Sequence, residues 1–257
     1  MLERRIMRRS YLFVVMSLVF AAFLTGCGVQ GETGASAGSS SASTVLSELP
    51  ESSVVSESSV SSSVPETTAE SREYETVTMG RYQGSEIEWI VLDKNDEGML
   101  LLSKYVIDAM PYNDKFVPVK WEDCTMRKWL NSVFLNEAFT EEERDIIMTV
   151  TLVNNDNPVN GQDGGPDTED KVFLLSIDEA YKYFSTNDSR KAQMTEYTRS
   201  KEPVTDGDDC CYWWLRSPGQ MHNNATYVYL MGMVNEKGFE VHYKNYGLRP
   251  AMWVRYK

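Results

Sequence analysis

Histidine is almost absent from this 257-residue chain: His222 and His242 are the only two. Scarcity of the side chain that moves protons most readily near neutrality leaves few general acid–base pairs to consider. From Tyr74 onward there is no Gly-x-Ser-x-Gly elbow, no His-Glu-x-x-His pair and no glycine-rich phosphate loop. The sequence signatures of serine hydrolases, zinc proteases and nucleotide-dependent enzymes are thus missing. Cysteine is equally sparse, with Cys27, Cys124, Cys210 and Cys211 and neither a Cys-x-x-Cys nor a Cys/His zinc spacing, so structural zinc is not expected. A disulfide between Cys124 and one of the adjacent pair is permitted outside the cytosol, with the connectivity left open. Cations are in deficit, 25 Lys and Arg against 38 Asp and Glu for a net charge of −13. Such a surface repels phosphate, which disfavours nucleic acid as a partner. One long apolar run exists, Tyr11 to Phe23, and it is too short for an ordinary membrane-spanning helix.

What stands around that run gives it meaning. Arg4, Arg5, Arg8 and Arg9 precede it and Leu24-Thr25-Gly26-Cys27 follows it. A basic segment, an apolar segment and small residues before a cysteine resemble the signal of bacterial lipoproteins. The resemblance implies that Cys27 becomes the lipidated first residue of the mature chain, with palmitate among its acyl groups. An uncleaved anchor is the alternative, and both place the remainder outside the membrane. Arg8-Arg9-Ser10-Tyr11-Leu12 is similar to a twin-arginine export signal, but the strongly apolar run favours the general secretory route. Gly28 to Glu73 is dominated by Ser and has no aromatic residue and no Lys. It lacks the means to bury a core and reads as a disordered tether with a root-mean-square reach of roughly 40 Å. The organisation expected is a signal segment over 1–27, a tether over 28–73 and a single domain over 74–257.

Within that domain Thr76–Met79, Glu86–Asp93 and Met99–Ser103 have strand character, with a turn at Asn95–Gly98. Asp123 or Thr125 can cap a helix from Met126 to about Leu135, and Thr140 with Glu143 and Ser176 with Glu179 form capping-box signatures. Met148–Val153 and Val172–Leu175 read as strands on either side of a long polar loop, Asn154–Asp170. Tyr212–Arg216, Ala225–Leu230, Phe239–Tyr243 and Leu248–Arg255 complete a β-rich C-terminal part. Without βαβ periodicity, the fold class expected is α+β, short helices on an antiparallel sheet.

Two segments are more specific: Cys211-Tyr212-Trp213-Trp214-Leu215-Arg216-Ser217-Pro218-Gly219 and Tyr246-Gly247-Leu248-Arg249-Pro250-Ala251-Met252-Trp253. With Gly80-Arg81-Tyr82, Trp121–Thr125, Arg127–Asn131 and Asp170–Ser176 they resemble a domain-of-unknown-function family of secreted and surface proteins in Gram-positive gut bacteria. The closing arrangement is distantly similar to C-type-lectin-like folds, including the formylglycine-generating type. Adjacent Cys210-Cys211 does not match a copper-holding cysteine pair, so the resemblance implies a ligand-displaying fold and no catalysis.

Three groups are candidate sites. Asp163, Asp167 and Asp170, with Asn154 and Asp156, concentrate oxygens that suit Ca²⁺, against the reading that the same residues staple a loop by Asx-turns. Trp213 and Trp214 alternate on a strand, so one faces a core and the other a second layer or the surface. Trp214 with Arg216 is the preferred ligand-binding pair and Trp213 the core indole, against the reading that both indoles are structural and that Arg216 and Arg249 anchor loop carbonyls or an acidic residue. The function expected is a cell-surface lipoprotein, anchored through lipid to the membrane and presenting a module that binds an extracellular glycan or protein. The alternatives are an extracellular hydrolase using acidic residues and a structural envelope or adhesion component. Cys27→Ala is expected to move the protein from the membrane fraction to the medium or to leave an unprocessed precursor. Unchanged fractionation and unchanged mass of the mature N-terminus would contradict the anchor.

Overall fold

Tyr82 pairs directly with Ser85, leaving Gln83 and Gly84 to turn the chain with φ of 48° and 84°. Both positive values fit the two-residue turn whose twist matches that of the strands it joins. In this computed structural model, which describes residues 73–205, 207 and 209–256, that turn links β1 (Thr76–Tyr82) to β2 (Ser85–Lys94). The Asn95 carboxamide oxygen accepts the N–H groups of Glu97 and Gly98 and brings the chain back as β3 (Gly98–Ser103). The signal segment and all of the tether before Glu73 lie outside the described residues, as does Cys27.

After β4 (Asp108–Ala109) come the helical segments α1 (Thr125–Trp129) and α2 (Leu135–Ala138), joined by a π-helical stretch, Leu130–Phe134. The sequence led us to expect one regular helix capped by Asp123 or Thr125. The cap is Cys124, whose Sγ accepts the Arg127 N–H at 3.3 Å. At the π-helical stretch the Asn131 amide competes for the Arg127 carbonyl, at 3.1 Å, a side-chain contact of the kind that loosens a helix. Next are α3 (Glu141–Ile146), β5 (Val150–Leu152), β6 (Thr168–Asp170), α4 (Ile177–Tyr183), α5 (Asn187–Arg190) and α6 (Glu196–Ser200). Both expected capping boxes form, and Thr186 with Ser189 adds a third at α5. The chain ends with β7 (Trp213–Pro218), β8 (Asn224–Val228), β9 (Val234–Glu240), β10 (Gly247–Leu248) and β11 (Ala251–Arg255).

The fold is α+β. One sheet has the order β1-β2-β3-β11 and is antiparallel throughout. A second has the order β4-β10-β7-β8-β9, antiparallel apart from the short parallel contact of Gly247 with Trp213, and β5 pairs with β6. Gly247-Leu248-Arg249-Pro250-Ala251 is the crossover between the two main sheets. Its first residues belong to β10 and its last to β11, while Ser103 of the first sheet donates its N–H to the Pro250 carbonyl and accepts Arg249 Nε at its own carbonyl.

Three expected strands differ, and the first, Leu248–Arg255, is split at Arg249-Pro250 into β10 and β11 of separate sheets. Val172–Leu175 is buried but bridges only through Phe173 to Ala251, because the Asn131 side chain captures the N–H groups of Lys171 and Val172. The strand expected over Phe239–Tyr243 ends at Glu240, where Tyr243 N–H turns back onto the Glu240 carbonyl. The disulfide that the sequence permitted is not formed by Cys124 or Cys211, which are free buried thiols, both pushed up by burial to a pKa of about 12.

The β8–β9 turn is tightly constrained at Gly232, where φ is 81° and an added Cβ would lie 1.7 Å from the Asn187 carbonyl oxygen. Gly84 shares the left-handed conformation, at φ 84°, with nothing within 4 Å of an added Cβ. Gly84→Ala is therefore expected to cost about 1–2 kcal/mol, the left-handed penalty alone. Gly232→Ala should exceed it by a further ~1–3 kcal/mol through overpacking, read as a larger fall in urea midpoint. Equal midpoints would contradict the packing.

Candidate functional site

Strand alternation at Trp213 and Trp214 operates as expected, but neither indole reaches solvent: both are 0% exposed. Trp213 lies beneath the Arg249 guanidinium, 5.0 Å from its ring, and donates Nε1 to the Arg190 carbonyl at 3.2 Å. Trp214 enters the opposite layer, against Tyr112, Tyr227 and Tyr246, and donates Nε1 to the Met110 carbonyl at 3.0 Å. The expected exposed Trp214–Arg216 pair is corrected: a second aromatic layer covers Trp214, and Arg216 is 4% exposed.

Arg216 is also fully engaged. Its Nε donates to Asn154 Oδ1, Nη1 to the Leu174 carbonyl and to Glu179, and Nη2 to the Val153 carbonyl and to Glu179. A guanidinium has five N–H donors, and none is left for a ligand. Glu179 additionally accepts the Ser176 N–H as half of the α4 capping box, so one carboxylate fixes both the helix start and the arginine. Arg249 is 3% exposed and differs: it donates to Ser103, stacks over Phe184 and Trp213, and its Nη1 has no hydrogen-bond partner. Burial without a carboxylate partner lowers its pKa to about 9.

The oxygen-rich loop divides its residues among separate tasks. Asp170, 1% exposed, accepts from Trp121 Nε1, Thr168 Oγ1, Arg127 Nε and Asn131 Nδ2, a buried knot that joins the helical region to β6. Asp163 pairs with Lys120 at 2.6 Å, Asp156 accepts the Gly164 N–H, and Asp167 accepts the Asn154 N–H. Asn154 itself is taken up by Arg216, Pro166 and Thr168. Among the described residues no group of three or more His, Cys, Asp or Glu side chains is placed to hold a metal ion. The five candidate Ca²⁺ ligands are not brought together: side chains of Trp121, Arg127, Asn131, Thr168, Lys120 and Arg216 occupy the oxygens of Asp170, Asp163 and Asn154, and loop N–H groups those of Asp156 and Asp167. Asp163 does line a cleft of about 240 Å³ with Lys120, Glu122, Asp123 and His222, spanned by a 2.9 Å contact between Gln162 Nε2 and His222 Nδ1.

A different surface emerges over Trp214. Trp214 pairs with Tyr227, and Tyr227 with Asn235, so register puts all three on one sheet face. Tyr246 packs at its centre, with ring centroids 4.7 Å from Trp214, 4.6 Å from Tyr227, 5.2 Å from Tyr212, 5.1 Å from Tyr243 and 5.5 Å from Phe239. Tyr229 joins at 5.0 Å from Tyr227. Tyr227 and Tyr246 are buried, whereas Tyr212, Tyr229, Phe239 and Tyr243 remain partly exposed. Asn235 Nδ2 donates to the hydroxyls of Tyr227 at 2.9 Å and Tyr229 at 2.6 Å. Burial raises the Tyr227 phenol far above its ordinary value and Tyr246 to about 12. Sequence reasoning had singled out the indoles and overlooked this cluster. The alternation Tyr227-Val228-Tyr229, matched by Tyr212-Trp213-Trp214 at the entry to the neighbouring strand, was the available signal.

Trp213→Ala and Trp214→Ala are both expected to cost about 3–5 kcal/mol, as for truncation of a fully buried aromatic. Glu179→Ala is expected to cost roughly 3–5 kcal/mol, because it strands the buried Arg216 charge. Parallel denaturant unfolding reads all three, and a Trp214→Ala protein as stable as the parent would contradict the second layer.

Residues 96–256 match the family model described as a domain of unknown function, DUF6273. No curated protein and no solved structure matches the chain. The matched stretch contains the Asp170 knot, the Arg216 clamp and the tyrosine cluster, and the chain belongs to the DUF6273 family.

Proposed function

We propose that this protein is a lipid-anchored module of a Gram-positive cell surface, held outside the membrane by its Ser-rich tether, which captures an extracellular ligand on the tyrosine face. The observation that carries the reading is the partly exposed ring set of Tyr212, Tyr229, Phe239 and Tyr243 on a rigid aromatic base. Exposed aromatic area held by its neighbours suits recognition, because little side-chain freedom is lost on binding. The lipoprotein-like signal supports the location, and the distant C-type-lectin resemblance supports a ligand-displaying role. Among the described residues no helix is long and apolar enough to cross a membrane, so attachment in this reading rests on the N-terminal segment.

A hydrolase is the second reading, favoured by one observation: Asp163, Glu122, Asp123 and His222 share a cleft. Against it, Lys120 holds Asp163 in an ion pair and keeps its carboxyl below the usual range, a poor setting for a general acid.

The two readings separate in one experiment. Detergent-solubilised full chain is assayed for binding and for turnover of cell-wall and polysaccharide preparations. Tyr229→Ala/Tyr243→Ala and Asp163→Asn/His222→Asn proteins are compared with the parent. Binding lost in the tyrosine variant and kept in the cleft variant is the expected result. Turnover abolished by the cleft variant would instead establish the hydrolase.

A further inference from the structure

We infer that the ligand of the tyrosine face is an uncharged carbohydrate; this rests on the binding role proposed above and specifies its chemistry. Three properties of the face converge on that class. First, its functional groups carry no charge. The cluster consists of tyrosines, Phe239, Trp214 and Asn235, all of them uncharged side chains at physiological pH. Phosphate or carboxylate recognition uses Arg or Lys, and none belongs to this set. The net charge of −13 adds a general penalty against acidic polymers.

Second, polar and planar groups alternate as a sugar ring requires. Sugars present apolar C–H faces that stack on aromatic rings and hydroxyls at the periphery. The Asn235 amide is already committed, donating to Tyr227 and Tyr229 while its oxygen accepts the Gly238 N–H at 3.1 Å. The Tyr229 hydroxyl accepts from Asn235 and hydrogen-bonds with the Tyr227 hydroxyl, and its hydrogen can turn to Tyr227 or to a ligand oxygen. It thus offers a ring face and a hydrogen-bond donor from one partly exposed side chain.

Third, the exposed area is small. Four partly exposed rings fall well short of the ~800 Å² per partner typical of a stable protein interface. One or two sugar residues fit that scale. The Met231 and Met233 side chains, 55% and 41% exposed, lie just beyond Tyr229 in the β8–β9 turn, and a protein partner would have to enlist them.

Affinity electrophoresis tests the inference. Full chain in mild detergent is run through gels containing neutral glucan, neutral mannan or acidic polygalacturonate. Retardation by a neutral polymer and none by polygalacturonate is expected. Stacking worth about 0.5–1.5 kcal/mol should make Tyr229→Ala and Tyr243→Ala up to about tenfold weaker. Tyr229→Phe, which keeps the ring and fold but removes the hydroxyl, should fall between Tyr229→Ala and the parent. Retardation by polygalacturonate alone, by no polymer, or equally in all variants would overturn the inference. A photo-crosslinking residue at Met231 distinguishes the ways of failing. Capture of an extracellular protein that Tyr229→Ala abolishes would overturn the carbohydrate and leave the binding face standing. Neither retardation nor capture sensitive to Tyr229 would overturn both.

Discussion

Two adjacent tryptophans on one strand impose the constraint from which the rest of this structure follows. Successive side chains of a strand point to opposite faces, so Trp213 and Trp214 cannot share a core. Each is nevertheless fully buried, which requires the β7 sheet to be covered on both sides. On one side the cover is Arg249 and Arg190, with Phe184 stacked on the Arg249 guanidinium. On the other it is Tyr112, Tyr227 and Tyr246. The tyrosine cluster exists as a lid over Trp214, and its outer rim is the face proposed to bind. Stability and recognition therefore draw on the same rings at different depths.

The two motif arginines solve opposite problems. Arg216 gathers the Val153 and Leu174 carbonyls and the start of α4 about a single carboxylate, so a buried charge is compensated by geometry. Arg249 has no acid and rests between aromatic rings, at the crossover where the chain leaves one sheet for the other. Cation–π contact is a weaker substitute for an ion pair, and burial lowers the Arg249 pKa. Both arginines are thereby spent on building the fold. Asp170 makes the same point, since an aspartate in an acidic loop turns out to be the buried centre of a knot made by Trp121, Arg127, Asn131 and Thr168.

Local signals were legible in the sequence wherever a few neighbouring residues decide the outcome. The Thr140–Glu143 and Ser176–Glu179 boxes, the Asn95–Gly98 turn and the α+β class all follow from short-range chemistry. What the sequence concealed was long-range. Trp214 has its cover in Tyr112 and Tyr246, and Arg216 finds Glu179 across 37 positions. Val172 loses its strand neighbours to the side chain of Asn131, 41 positions away. The site was misplaced for the same reason: an indole and a guanidinium look like a binding pair until the residues that bury them are in place. The tyrosines, spread from Tyr212 to Tyr246, only become a face once β7, β8 and β9 are in register.

Hydrogen–deuterium exchange of the full chain, with and without the neutral polysaccharide that retards it, tests most directly whether the rim of the Trp214 cover is the binding face. The account predicts slowed exchange concentrated in the segment from Tyr212 into β7 and in residues 226–246. Protection confined to the Lys120–Asp163–His222 cleft, with the tyrosine segments unchanged, would contradict it.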